Sequence, residues 1–414
     1  MTPSRYFDHA ATTPVKPTAV RVLTESYGAG TGEVLVPSAG LANPSSLHGA
    51  GRRARLAVDS ARAQLAQAVG AHPSEVIFTS GGTEADNLAL KGLWWQRRAE
   101  DPRRRRILLP GIEHHAVLDT AEWLETHEGA ELEIIPVDRD GVVELDAVGR
   151  LLAEAPETIA LATVMWANNE TGAIQPVPEI AQLCAEAGVP FHTDAVQAFA
   201  NEPPGAAPVR FADSGASTMA ISGHKIGAPV GVGALLVRRD VKLTPVLHGG
   251  GQERDIRSGT LDAAGIRAFA AVAEETVAAH PQEARRVAQM RDRLLEAVIG
   301  VDGVTLRGPD PRVEPTRRLP NNLHLTVDEA EGDSLLFMLD MAGFDTATGS
   351  ACTAGVPRPS HVLLAMGLSE AEARGAQRFT LGWTTTDDDV TALAQALPDV
   401  IAQARSAGLA ADRR

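Results

Sequence analysis

Ile159-Ala160-Leu161-Ala162-Thr163-Val164 is an apolar run too uniform to keep one face wet. A helical pattern follows from Val177 to Ala187, and then a second such run, Val189-Pro190-Phe191-His192. Strand, helix and strand in that order describe parallel strands joined by a crossover. Strands without a polar face suit a sheet covered on both sides. The alternation extends outward. Val76-Ile77-Phe78-Thr79, Arg106-Ile107-Leu108-Leu109 and Leu132-Glu133-Ile134-Ile135 read as strands on the N-terminal side, and Gly233-Ala234-Leu235-Leu236-Val237 on the C-terminal side. A helical stretch from Ala85 to Trp95 lies among them. The pattern predicts an α/β fold with a mostly parallel sheet.

After about Gly265 the texture changes. A long Ala/Glu/Arg-rich helix is predicted from Ile266 to Ile299, broken near Pro281, where the ring removes a backbone donor. Val304-Thr305-Leu306, Asn322 to Val327, a helix from Gly332 to Ala342 and a last helix from Asp388 complete a smaller α+β unit. Pro309 to Pro320 reads as a surface loop, and Asp101 to Arg106 as a solvated turn rather than a nucleic-acid contact.

The whole chain has 414 residues, enough for two domains. Its 38 basic and 53 acidic residues give a net charge of −15, unsuited to life on a phosphate backbone or an anionic membrane. No apolar run approaches the ~20 residues that cross a bilayer. The opening Met1-Thr2-Pro3-Ser4-Arg5-Tyr6 lacks a basic-then-apolar leader, so a cytoplasmic protein is expected. Two cysteines, Cys184 and Cys352, are too few for a disulfide framework or a structural zinc site. Only four lysines occur, at 16, 91, 225 and 242, so amine chemistry has few places to sit.

Phe78-Thr79-Ser80-Gly81-Gly82-Thr83-Glu84 follows a strand and opens a helix. Glycines let the backbone approach an anion, and the helix start points N–H groups at it. The same residues also suit a plain tight turn. Asp194, at the end of an apolar strand, stands where α/β sheets place ligands and can hold a heteroaromatic nitrogen protonated; an N-cap role fits it equally. Lys225, in Ser222-Gly223-His224-Lys225, is the one lysine set among small polar residues at a sheet edge. A phosphate cradle, an acid at a strand end and a downstream lysine together describe a pyridoxal phosphate site. Glu113-His114-His115 places a histidine able to stack on a planar cofactor, or to lie satisfied in the core. Cys352, within Gly349-Ser350-Ala351-Cys352-Thr353-Ala354-Gly355, sits among small residues where a thiolate is accessible, whereas Cys184 falls on an apolar helix face. Arg378 offers a fork for a carboxylate or a surface ion pair.

Assembled, these residues resemble the NifS/IscS-type cysteine desulfurases of the class V aminotransferase-like group. The similarity runs from Phe7-Asp8-His9-Ala10-Ala11-Thr12-Thr13-Pro14 to Leu381-Gly382. It includes Asn43-Pro44-Ser45-Ser46-Leu47-His48, Met165-Trp166-Ala167-Asn168-Asn169-Glu170-Thr171-Gly172 and Gly249 to Thr260. The Gly-Ser-Ala-Cys stretch, with Ser360-His361-Val362-Leu363 beyond it, is similar to the longer-loop subgroup.

The resemblance implies a fold type I large domain around a seven-stranded, mainly parallel sheet, at residues 15–265. A small domain at 1–14 and 266–414 would complete it. It implies pyridoxal 5'-phosphate as cofactor, with Lys225 as the Schiff-base lysine and Cys352 as the persulfide cysteine. Gly82, Thr83, Ser222, Gly223 and His224 match phosphate-side contacts. Asp194 matches the partner of the ring nitrogen, Gln197 that of the ring hydroxyl, and His114 the stacking histidine. Asn169 and Arg378 match substrate-side and cofactor-side contacts. Thr260 matches a phosphate contact given by a neighbouring subunit, hence a homodimer. No metal is implied beyond a transient iron–sulfur contact at Cys352. The implied reaction turns L-cysteine into L-alanine and a persulfide on Cys352, which feeds a sulfur-acceptor protein, an iron–sulfur scaffold or a tRNA-thiolation enzyme. Selenocysteine lyase or transaminase activity on the same scaffold, or service to DNA phosphorothioation, are the alternatives.

Overall fold

A computed structural model describes residues 4–28, 42–349 and 359–411, so Cys352 lies outside the described residues. Twelve strands are present among them. In chain order they are β1 (Arg5–Tyr6), β2 (Val76–Thr79), β3 (Arg106–Pro110), β4 (Glu131–Ile135), β5 (Ile159–Thr163) and β6 (Phe191–Asp194). Then come β7 (Thr218–Ser222), β8 (Gly233–Val237), β9 (Val304–Leu306), β10 (Asn322–Val327), β11 (Phe344–Asp345) and β12 (Ala376–Thr380). Seven of them form one sheet in the order β2-β8-β7-β6-β5-β3-β4. Neighbours from β7 to β4 run parallel, and β8 is antiparallel to both β7 and β2. The seven-stranded, mainly parallel α/β sheet is as expected.

Alternation along the strands builds two layers of core. Met219 and Ile221 of β7, with Ala234 and Leu236 of β8, face the helices Pro17–Tyr27 and Gly49–Val69. Ala220, Leu235 and Val237 face the helices Gly82–Glu100 and His115–Glu128 on the other side. A sheet covered this way has no wet face, which is why its strands read as unbroken apolar runs.

β7 escaped the sequence reading. Thr-Met-Ala-Ile-Ser has polar ends and only one β-branched apolar residue, so it lacks a strand's composition. It is nevertheless buried throughout, because it lies between β6 and β8. β12 was missed for a similar reason, since Gln377 and Arg378 interrupt it.

The predicted break at Pro281 is absent: one helix runs from Ala263 to Val298 through that proline. The ring frees the carbonyl of Val277, which is on an exposed position where water can reach it. Packing holds both halves in line. Ile266, Phe269 and Val272 enter the core of the large sheet. Met290, Leu294 and Val298 enter a second core with β10, β12 and the last helix, Asp387–Ala411. In that second core β12, β10 and β9 form an antiparallel sheet. Phe7 packs there too, and β1 pairs with β11, so the N-terminal arm starts in the second core before it reaches the first.

Pro309 to Pro320 also differs from expectation, because Arg318 within it is completely buried. Its guanidinium donates to the carbonyls of Thr171, at 2.6 and 3.1 Å, and of Pro309, at 3.1 Å. The stretch thus braces the turn that follows β5. Cys184 is core, as read, with burial pushing its thiol up to about 12.

Candidate active site

β3 pairs with β4 on one side and β5 on the other, so the connections leave in opposite directions at the β3/β5 boundary. A crevice opens at such a switch point beyond the strand ends. Here it is a cavity of ≈ 480 Å³. His114 follows β3, Asn169 follows β5, Asp194 ends β6, and Ser222 ends β7 with His224 and Lys225 just beyond it.

Gly82, Thr83, Gln197 and Arg378 line the same cavity. Ten of the residues singled out in the sequence are thereby brought together. Gly223 lies behind them, packed so tightly that a Cβ would stand 3.0 Å from the Val232 carbonyl. Thr260 is exposed and is not among the lining residues described.

Lys225 Nζ donates to the carbonyls of Ala10, at 2.5 Å, and Ala11, at 2.9 Å. Burial lowers its pKa to about 8; the Arg378 cation adds to this, and Asp194 and Asp8 oppose it. Two of the other three lysines are held elsewhere. Lys16 is buried against Thr276 at 2.7 Å and Glu275, and Lys91 lies over the Trp123 ring. Asp194 accepts the Val196 N–H at 2.8 Å, and burial next to Asp86 raises its carboxyl to about 7. His114 Nδ1 accepts the Ala116 N–H at 3.1 Å, which leaves the ring's proton on Nε2. Burial and the nearby Lys225 cation lower this imidazole to about 4, so it is neutral at pH 7.

The phosphate-sized end is the start of the helix Gly82–Glu100. Its N-cap is Gly81, with φ +155° and no side chain to cap the first turn. A Cβ on Gly82 would meet Val196 Cγ2 at 2.8 Å, so the turn needs glycine there. The buried Ser222 hydroxyl, opposite, has no partner among the described residues. Glu84 in the same turn accepts the Ser80 N–H at 2.7 Å and the Arg257 guanidinium at 2.6 Å, which fixes the backbone.

Sequence reading missed several lining residues. Asp8 accepts Arg378 Nη2 at 2.7 Å, while the Asn169 carbonyl accepts Nη1 at 3.0 Å; the buried Nε of Arg378 has no partner among the described residues. Asp86 lies beneath Asp194 and against His192 Nε2 at 3.1 Å. A carboxylate among Ala85, Leu88 and Ala89, on a buried helix face, was the available signal. Glu170 and His361 also line the cavity.

The family model for aminotransferase class-V matches residues 5–393. An IscS-like cysteine desulfurase of Mycobacterium tuberculosis is 47% identical over 407 residues, covering 98% of each chain. A solved NifS-like protein superimposes with a TM-score of 0.83 at 30% identity, covering 96% of this chain and 99% of that one. SspA in complex with cysteine gives a TM-score of 0.74 at 32% identity, covering 92% of this chain and 99% of that one.

This chain belongs to the class-V aminotransferase family.

Members of the class-V aminotransferase family use pyridoxal 5'-phosphate, and the cavity fits that molecule. An uncapped helix start and an orphaned Ser222 hydroxyl suit a phosphate, a buried carboxyl suits a pyridine nitrogen, and a lysine with a lowered pKa suits an aldehyde. The residues that would hold it are Gly82, Thr83, Ser222 and His224 at the phosphate, Asp194 and Gln197 at the ring, His114 over it, and Lys225 as the covalent tether.

Proposed function

We propose that this protein is a pyridoxal phosphate-dependent cysteine desulfurase. It takes sulfur from L-cysteine, releases L-alanine and holds the sulfur as a persulfide on Cys352. The observation that supports this most is the single cavity in which the Lys225 amine, the Asp194 carboxyl and the unpartnered Ser222 hydroxyl meet. The desulfurase relatives and the cysteine-bound SspA add the substrate.

Bound pyridoxal phosphate supplies an aldehyde that bonds an amine and a ring that takes up the electron pair freed at the adjoining carbon. The chain's residues do the rest. Asp194 keeps a proton on the ring nitrogen. The uncapped N–H groups of the Gly82 turn and the Ser222 hydroxyl hold the phosphate. Lys225 Nζ, part neutral because of its burial, takes the proton from the substrate Cα. Arg378 Nε offers a buried donor to the substrate carboxylate, while Asp8 and the Asn169 carbonyl hold the fork still. The Cys352 thiolate attacks the substrate sulfur. An S–S bond forms, the C–S bond breaks, and the carbon left behind takes up a proton to give alanine.

The same reading assigns residues 15–265 to a large domain, with 1–14 and 266–414 as the small one. It makes the protein a cytoplasmic homodimer in which Thr260 serves the partner's phosphate. Among the described residues no helix is long and apolar enough to cross a membrane. The persulfide passes to a sulfur-acceptor protein, an iron–sulfur scaffold or a tRNA-thiolation enzyme. The test is a single turnover with L-cysteine, reading alanine and the mass of one added sulfur on the peptide that contains Cys352. Cys352→Ser should lose both; unchanged alanine release in that variant would refute the assignment.

A further inference from the structure

The chain on either side of residues 350–358 meets one carboxyl. On the C-terminal side Ser360, itself buried, donates its hydroxyl to Glu170 Oε2 and accepts the Leu363 N–H at 3.2 Å, so both its hydrogen-bonding roles are used. On the N-terminal side Gly349 has φ +99°, and a Cβ there would stand 3.2 Å from Glu170 Oε2 and 3.3 Å from His324 Nε2. His324 is wholly buried, and neither ring nitrogen has a partner among the described residues. Burial lowers its pKa to about 3, so it is a neutral wall beside that glycine.

Glu170 is held from behind. Its N–H donates to Asn168 Oδ1 at 2.9 Å, and its carbonyl accepts Asn322 Nδ2 at 2.9 Å. It adjoins Asn169, whose carbonyl holds Arg378, and Arg378 in turn exchanges backbone bonds with Ala347. His361, next to Ser360, donates from Nε2 to the Glu113 carbonyl at 2.9 Å. The ties run from the cavity wall to both flanks.

We propose that Glu170 is a positioning residue for sulfur transfer, whose carboxyl binds Ser360 and packs beside Gly349, the two described points between which the chain carries Cys352. This rests on the desulfurase reading. Ten residues separate these two points. Releasing one anchor acts chiefly on geometry: doubling a free length costs only about three-fold, whereas a misplacement of about 1 Å costs up to about 100-fold.

The experiment uses full-length, cofactor-loaded protein and two readouts. The first is the absorbance change of the bound cofactor on mixing with L-cysteine, which does not need Cys352. The second is single-turnover alanine release with sulfur arriving on Cys352. Glu170→Ala and Ser360→Ala are expected to slow the second about ten-fold or more, while Ser360→Ala, outside the cavity lining, keeps the rate and pH profile of the first, which also shows that it folds. Glu170→Gln keeps an acceptor oxygen and should restore sulfur transfer to within about three-fold. The double variant Glu170→Ala/Ser360→Ala should fall by less than the product of the two single losses, because both singles remove the same Glu170–Ser360 bond. Unchanged sulfur transfer in Glu170→Ala, equal slowing of both readouts in Ser360→Ala, or a double variant that compounds the two losses would overturn the assignment. A wild type that places no sulfur on Cys352 overturns the desulfurase reading itself, whereas an indifferent Glu170→Ala beside an active wild type overturns this proposal alone.

Discussion

Lys225 is the residue proposed to carry the chemistry, and its environment sets a pH dependence. An ordinary lysine is almost wholly charged at pH 8, but burial and Arg378 bring this amine's pKa down to about 8. Only the neutral amine attacks an aldehyde. The rate of covalent pyridoxal phosphate uptake by apo-protein should therefore rise about ten-fold per pH unit below pH 8 and level off above it. Arg378→Ala removes a neighbouring cation, so the levelling-off should move to higher pH; Asp8→Asn removes an anion and should move it lower. Stopped-flow absorbance across pH 6–10 reads both, and a wild-type profile still climbing at pH 10 would contradict the lowered amine. This lysine was legible in the sequence because only four exist and just one has small polar neighbours. Asp8, Asp86 and Glu170 were not legible as lining groups. A single carboxylate carries no spacing signal, and its role appears only once β12, the first turn of a helix and the turn after β5 converge on it.

At the scale of elements, the apolar strands were readable because burial on both faces removes polar residues from them. β7 and β12 were not, because each ends at or crosses the cavity and carries polar residues that line it: Ser222 in one, Arg378 in the other. Lining the cavity overrode strand composition in both. Pro281 shows the opposite override, in which packing on two cores carries a helix through its breaker. Pro281→Ala restores a donor to the Val277 carbonyl and should stabilise the protein by about 1–2 kcal/mol, part of the helix-interior penalty being offset by the freer unfolded chain. Calorimetry would show a higher thermal midpoint. A lower one would mean the helix is two segments that need the proline between them.

Over the whole molecule, the sequence reading anticipated an α/β layer with an α+β appendage, since the change of texture near Gly265 tracks a real change of sheet. What it could not reveal is how the parts share residues. The arm from β1 begins in the second core and ends with Ala10 and Ala11 as carbonyl partners of Lys225 in the first. Thr260 belongs to this scale too. It is exposed and absent from the described lining of its own cavity, so its proposed work is in a second copy. Thr260→Ala should weaken pyridoxal phosphate binding about five-fold, the worth of one hydrogen bond, as measured by titrating apo-protein; unchanged affinity would remove the argument for sharing between subunits. The helix Ala263–Val298 has a mechanical consequence. A beam seated in both cores resists a hinge between them, so any turn of one core against the other has to bend the helix itself.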